Sequence, residues 1–210
     1  MDNKEYMDKL KSRLQEFESA RKNMKNLAIE IIGDTLYKED FFFTSAIDRS
    51  MALLDGLVEM LKQRNLACAG ILVRTQLDNC MRIFAAFIAE NRKEFIDGFL
   101  NGEKIRNMCD NRGKRMTDAV LKERLAEYDQ YLKQIYDNSS GYVHLSSKAF
   151  HSSATISESS QYHIEFTVGT PLKEKANPVL LEAADAFLHY VQLQNDLLQK
   201  VAESKNHIRD

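Results

Sequence analysis

The chain has little that breaks a helix and nothing that staples a fold. Its 210 residues include 2 prolines and 8 glycines, too few turn formers for an all-β sandwich or a chain alternating strands with helices. The 3 cysteines, Cys68, Cys80 and Cys109, are odd in number and form no C-x-x-C pair. That argues against a disulfide framework or a zinc knuckle and fits reduced thiols in a cytosol. Charge of one sign is scarce too: a formal net charge of -2 and a pI near 6.2 give no overall field to draw nucleic acid or an anionic membrane. A partner of either kind needs a local patch. The opening residues, MDNKEYMDKLKSR, lack the apolar core of a secretory leader, so a cytoplasmic location is expected.

What is present favours helices. Hydrophobic residues make up 44% of the chain, enough for a real core, and Leu, Lys, Glu, Ala and Gln are plentiful. The expected fold class is all-α: an up-and-down bundle of about five long helices with a small β-hairpin before the last, in a single domain over residues 1–210.

From about Lys4 to Tyr37, Met7, Leu10, Leu14, Phe17, Met24, Leu27, Ala28, Ile31 and Leu36 recur at threes and fours, which predicts one long amphipathic helix. Arg21 interrupts its near-heptad spacing. A second helix is predicted from Phe42 to about Arg64, and the short gap at Asn65 implies an antiparallel neighbour. The third segment, Leu66 to Glu90, is the most apolar, but three central charges argue against a membrane span. It reads as the nearly buried central helix, whose charges need partners. A short helix over Lys93 to Leu100 and a basic stretch, EKIRNMCDNRGKRM, follow. From Thr117 the apolar stripe Val120, Leu121, Leu125, Tyr128, Leu132, Ile135 and Tyr142 predicts one continuous helix. Alternation in QYHIEFTV predicts a strand, paired with ATIS in a hairpin over residues 154–169. Asn177 as N-cap and Pro178 at the first helical position open a last helix to about Glu203.

Two polar constellations stand out. Arg74, Asp78 and Arg82 lie four residues apart on one face of the central helix, so Asp78 can pair with either arginine, while Gln76 and Asn79 turn away. Buried arginine is costly unless paired, and one aspartate cannot neutralise two. Either Asp48, Asp55 or Glu59 of the preceding helix completes an internal network, or one guanidinium stays available for an anion such as phosphate. The second constellation is YDNSSGYVHLSSKAFHSS, where Tyr136, Ser140, His144 and Ser147 would share one stripe if the helix persists through Gly141. His144 reads as a hydrogen-bonded structural histidine, a general acid or base, or a metal ligand. No HExxH spacing, G-x-S-x-G elbow, Walker loop or GxGxxG loop is present, so no metal and no cofactor is expected.

An arginine-and-acid-bearing central helix followed by a helix ending in SSGYVHLSS resembles the HEPN superfamily. These helical bundles include metal-independent ribonucleases of toxin–antitoxin and antiphage systems. The likeness is to the branch with an Arg-bearing helix and an S-x-x-x-H signature, and it covers roughly Phe42 to Ser147. It implies that His144 is the motif histidine and that two chains pair so that both motifs face one composite cleft. Catalytic members carry an arginine shortly before that histidine, where this chain has Asp137, Asn138 and Ser139.

Two functions therefore stand side by side. In the first, RNA or a nucleotide is cleaved or bound without metal. His144 is then the acid/base, Arg74 and Arg82 hold the anion, Asp78, Ser140, Tyr142 and Ser147 orient or bind, and Lys104, Arg106, Arg112, Lys114 and Arg115 form the RNA-contacting patch. The second is a non-catalytic binding or assembly module in which Ser140, His144 and Arg82 form a structural polar network. A homodimer is expected in either case, from the long first helix and the lone hairpin.

Overall fold

The computed structural model describes residues 1–143, the backbone of strands β1 (Ala154–Ile156) and β2 (Ile164–Phe166), and residues 176–206. Seven α-helices lie among them: α1 (Asn3–Ile32), α2 (Lys38–Lys62), α3 (Leu66–Ile88), α4 (Arg92–Leu100), α5 (Asp118–Leu125), α6 (Leu132–Val143) and α7 (Asn177–Asn206). The protein is thus a helical bundle, built from more and shorter helices than the five expected. β1 and β2 pair antiparallel over three residues each, and the chain that joins them lies outside the described residues. No described helix is long and apolar enough to cross a membrane.

Local chemistry sets the helix ends. Asp2 caps α1 by accepting the Glu5 amide at 2.8 Å, and the helix stops at Gly33, whose φ of 50° suits glycine. The first helix is therefore shorter than predicted, and Leu36 and Tyr37 lie beyond its end, exposed. Met7, placed in the apolar stripe by its spacing, is also exposed; Tyr6 takes the inward position and donates its hydroxyl to the Leu61 carbonyl at 3.0 Å. Asp40 opens α2 by accepting the Tyr37 amide at 2.7 Å, and Asn65 opens α3 by accepting that of Cys68 at 3.1 Å.

The predicted helix from Thr117 to Tyr142 is two helices. Asp129 breaks it: the chain turns as Leu125 O accepts the amides of Tyr128 and Asp129, and the Asp129 carboxylate then takes the Tyr131 amide at 3.0 Å. Side chain thus competes with helix for the backbone donor. Tyr128, read as part of the stripe, is 70% exposed at this corner.

Contacts at the helix ends fix the directions. The start of α1 lies on the end of α2 through Tyr6 and Leu61, and the start of α7 lies near the start of α1, where Asn177 donates to Met1 O at 3.3 Å. At the other end Lys205 of α7 reaches Ile31 O, Ile32 O and the buried Asp40 carboxylate. Each ammonium proton has an acceptor, which makes a buried lysine tolerable. So α7 runs parallel to α1, while α2 runs against it. Leu66 and Val179, near the starts of α3 and α7, line one cavity, so α3 and α7 run the same way. α6 runs antiparallel to α3, with Tyr142 against Gly70 and Ser140 against Arg74. The α1–α7 and α3–α7 pairs are therefore parallel, whereas the α1–α2, α2–α3 and α3–α6 pairs are antiparallel. The core along these seams includes Phe17, Met24, Phe43, Leu54, Leu57, Leu77 and Phe187, all buried. Burying each such side chain contributes about 1.5–3 kcal/mol.

At the centre of that core, where α2, α3 and α7 meet, sits a neutral polar cluster. The Asn79 amide donates to Ala46 O at 2.8 Å and Ser50 Oγ at 2.9 Å. Gln76 Nε2 donates to Gln194 Oε1 at 3.2 Å, and the Ser50 hydroxyl lies within reach of both glutamine oxygens. Gln76 and Asn79 do turn from the arginine face, but they point into this interior knot, which the sequence reading did not foresee.

Candidate functional site

The opposite flank of α3 carries the charges. Arg74 is buried, and burial works against its charge, yet its guanidinium is held charged: Nη1 lies 2.6 Å from Asp78, and the group stacks 4.0 Å from the centre of the Tyr136 ring. Its Nε donates to Ser140 Oγ at 3.3 Å. Arg74, Asp78 and Ser140 are thus brought together, with Tyr136 as a partner that the stripe contained but the reading of the arginines omitted. Arg82 is elsewhere. At about 1.5 Å per residue it stands about 12 Å along the axis from Arg74, and it pairs with Asp118 of α5 instead of Asp78. The acids expected from α2 do not serve this flank: Asp55 pairs with Arg21 of α1, and Glu59 with Lys62. α2 packs on the other side of α3, so its polar face cannot reach round. His144 and Ser147 lie outside the described residues.

Tyr142 reaches α3 because Gly70 has no side chain there; a Cβ at Gly70 would run into the Tyr142 ring. Burial foremost, then the nearby Glu182 carboxylate, raises the pKa of that phenol and keeps it neutral.

The basic stretch is a shaped loop. Asp110 is fully buried and accepts the amides of Arg112 at 3.0 Å and Lys114 at 2.8 Å, while Arg124 of α5 pairs with its second oxygen. Burial pushes the carboxyl pKa up, but these donors together hold it below its ordinary value. The loop is tied to the end of α3 by Asn111 N to Ile88 O at 2.7 Å. Arg112 forms a two-pronged pair with Glu127, and Lys104, Arg106, Lys114 and Arg115 are exposed. Of these, Lys104 and Arg106 meet Arg82 in a groove of about 670 Å³ that also includes Phe99, Glu103, Ile105, Thr117 and Asp118. Three cations from two distant stretches, two carboxylates and a partly exposed aromatic ring therefore share one concavity.

A second cavity, also about 670 Å³, opens between α6 and α7 over α3, because α6 packs on α3 without closing onto α7. His189 stands at its edge, its Nε2 3.1 Å from the Asp129 carboxylate and its ring edge-on to Tyr131. Buried beside Asp129 are Tyr190 and Cys80, whose pKa values are raised by burial first and by the carboxylate second. Both stay neutral. Sequence reading missed this pair because a single histidine in an apolar helix and an aspartate sixty residues away share no motif spacing. Ser139 lines the same cavity, but its hydroxyl donates to its own helix at Ile135 O, 2.6 Å away, which gives it no nucleophile geometry. No group of three or more His, Cys, Asp or Glu side chains able to hold a metal occurs among the described residues.

No family model, no curated protein and no solved structure matches the chain.

Proposed function

We propose that the chain is a HEPN-like protein that binds RNA, or a nucleotide, through the groove of Arg82, Lys104 and Arg106. The single observation that carries this reading is the convergence of those three cations on one concavity beside Phe99. Phosphate oxygens suit guanidinium and ammonium donors, and an exposed aromatic ring offers a base a stacking face. Asp118 competes with a phosphate for Arg82, but only weakly. Its pair with Arg82 is partly exposed, and such pairs contribute only about 0–1 kcal/mol, so a phosphate can take its place at little cost.

Three neutralised phosphates on a single strand correspond to a salt slope of roughly -2 in log affinity against log salt. Anisotropy of a labelled single-stranded RNA, titrated across salt concentrations, tests this. The triple substitution Arg82→Ala, Lys104→Ala, Arg106→Ala is expected to remove most binding and flatten the slope. Unchanged binding would sink the proposal. Cleavage belongs to the same reading as its finer part, with His144 as general acid or base. It requires RNA cutting that survives EDTA and is lost in His144→Ala.

The second reading, a non-catalytic assembly module, draws on a different observation. Arg74 is engaged by Asp78, Tyr136 and Ser140, as a structural group would be, and Ile29, Ile32, Leu36, Tyr37 and Phe41 are exposed where α1 gives way to α2. Those apolar side chains suit a contact with a second copy. Light scattering that reports a dimer for the wild type and a monomer for Ile29→Glu with Phe41→Glu would favour it.

A further inference from the structure

We propose that the cavity between α6 and α7 is a binding site for a small organic cation with an aromatic body, separate from the basic groove. Its floor is apolar, formed by Leu66, Val73, Ile135 and Ala186 among others, and its volume lies within the range of ligand sites. Two tyrosines, Tyr131 and Tyr142, flank it, and tyrosine faces attract cations. No lysine or arginine is among the described residues lining it, whereas Glu182 and Asp185 are. Arg13 of α1 takes up Asp185 from the outer side at 2.5 Å, so Glu182, close enough to Tyr142 to act on its phenol, is the carboxylate that meets a ligand. Anions are disfavoured there, since the described lining offers a phosphate carboxylates and neutral polar groups but no lysine or arginine.

The pair of His189 and Asp129 gives the site a directional polar group. Asp129 is 6% exposed and is also anchored by the Tyr131 amide, so it holds the imidazole at a set angle. In the tautomer whose Nε2 donates to the carboxylate, Nδ1 is left as an acceptor for an ammonium or ring N–H. The site is pre-built, because Gly70 admits the Tyr142 ring and the Asp129 turn fixes Tyr131 and His189.

The absence of tryptophan makes the test direct, since an indole probe excited to the red of tyrosine absorption fluoresces without indole background from the protein. Tryptamine, indole and indole-3-acetate are titrated with the full chain, following indole emission and anisotropy. Tryptamine is expected to bind at least about tenfold more tightly than indole-3-acetate, since about 1.4 kcal/mol of charge preference is tenfold. Glu182→Gln should weaken tryptamine several-fold and leave neutral indole unchanged. Ala186→Leu, which fills the cavity, should abolish both while circular dichroism shows the helices intact. Absence of tryptamine binding, equal affinity for cation and anion, or indifference to Ala186→Leu would each overturn the proposal. None of these outcomes depends on RNA binding at the other groove.

Discussion

The two sides of α3 solve the same problem with opposite chemistry. Towards α2 and α7 the helix buries Gln76 and Asn79 in a dry, neutral knot with Ser50 and Gln194. Towards α5 and α6 it places Arg74, Asp78 and Arg82; the two arginines each have an ionic partner and differ in exposure: the side chain is 10% exposed at Arg74 and 32% at Arg82. Neutral amides can be satisfied without water, so they can sit buried where α2, α3 and α7 meet. Charges must keep either a complete set of partners or a path to solvent. Binding chemistry therefore collects on the flank, and the interior knot is left to hold the helices in register.

The largest expected effect breaks the flank at its anchor. Arg124→Met strands the fully buried Asp110 carboxylate, and losing one member of a buried pair costs about 3–5 kcal/mol. Urea melts followed by circular dichroism should show it. On the interior side, Asn79→Leu leaves the Ala46 carbonyl and Ser50 hydroxyl without their donor and should cost about 1–3 kcal/mol. Replacing Ser50, Gln76, Asn79 and Gln194 together by apolar residues should be far less damaging than the sum of single changes; an additive loss would refute the knot as a unit.

Acid separates the two sides. Asp110 has a folded pKa below its ordinary value of about 3.9, so its stabilising contribution is complete well above that pH and fades as pH falls through the unfolded and then the folded value. The neutral knot has nothing to titrate. Hydrogen exchange at pH near 3 is expected to release the amides of Arg112 and Lys114 well before those of the α3 core; simultaneous release would contradict the comparison. The smallest effect is Arg82→Ala. Its exposed pair predicts a stability change of about 1 kcal/mol or less alongside a clear loss of RNA affinity.

The bundle was legible because apolar periodicity is a local signal. Phe17, Met24, Leu27 and Ile31 report their inward face through spacing alone, and Asn65 and Asn177 stand where helices begin. The break at Asp129 was not legible, since Leu125, Leu132 and Ile135 keep a helical spacing straight through it. The arginine face and its Arg74–Asp78 pair were legible, but the partners from other helices were not, because that pairing depends on which neighbour packs there: Tyr136 and Asp118 stand where Asp48, Asp55 or Glu59 was expected. His189 with Asp129 left no trace in sequence at all.

By itself, then, the order of residues determined that this chain makes helices, roughly where they start, and which stripe of each turns inward, for these follow from propensity and the hydrophobic period along a few turns. Only the tertiary structure decided that α6 leans on α3 and leaves a cleft against α7, that Arg82 joins Lys104 and Arg106, and that Gln76 and Asn79 meet Gln194. Such meetings depend on packing between segments far beyond one helical turn, up to the 118 residues between Gln76 and Gln194, and no local pattern encodes the distance between them.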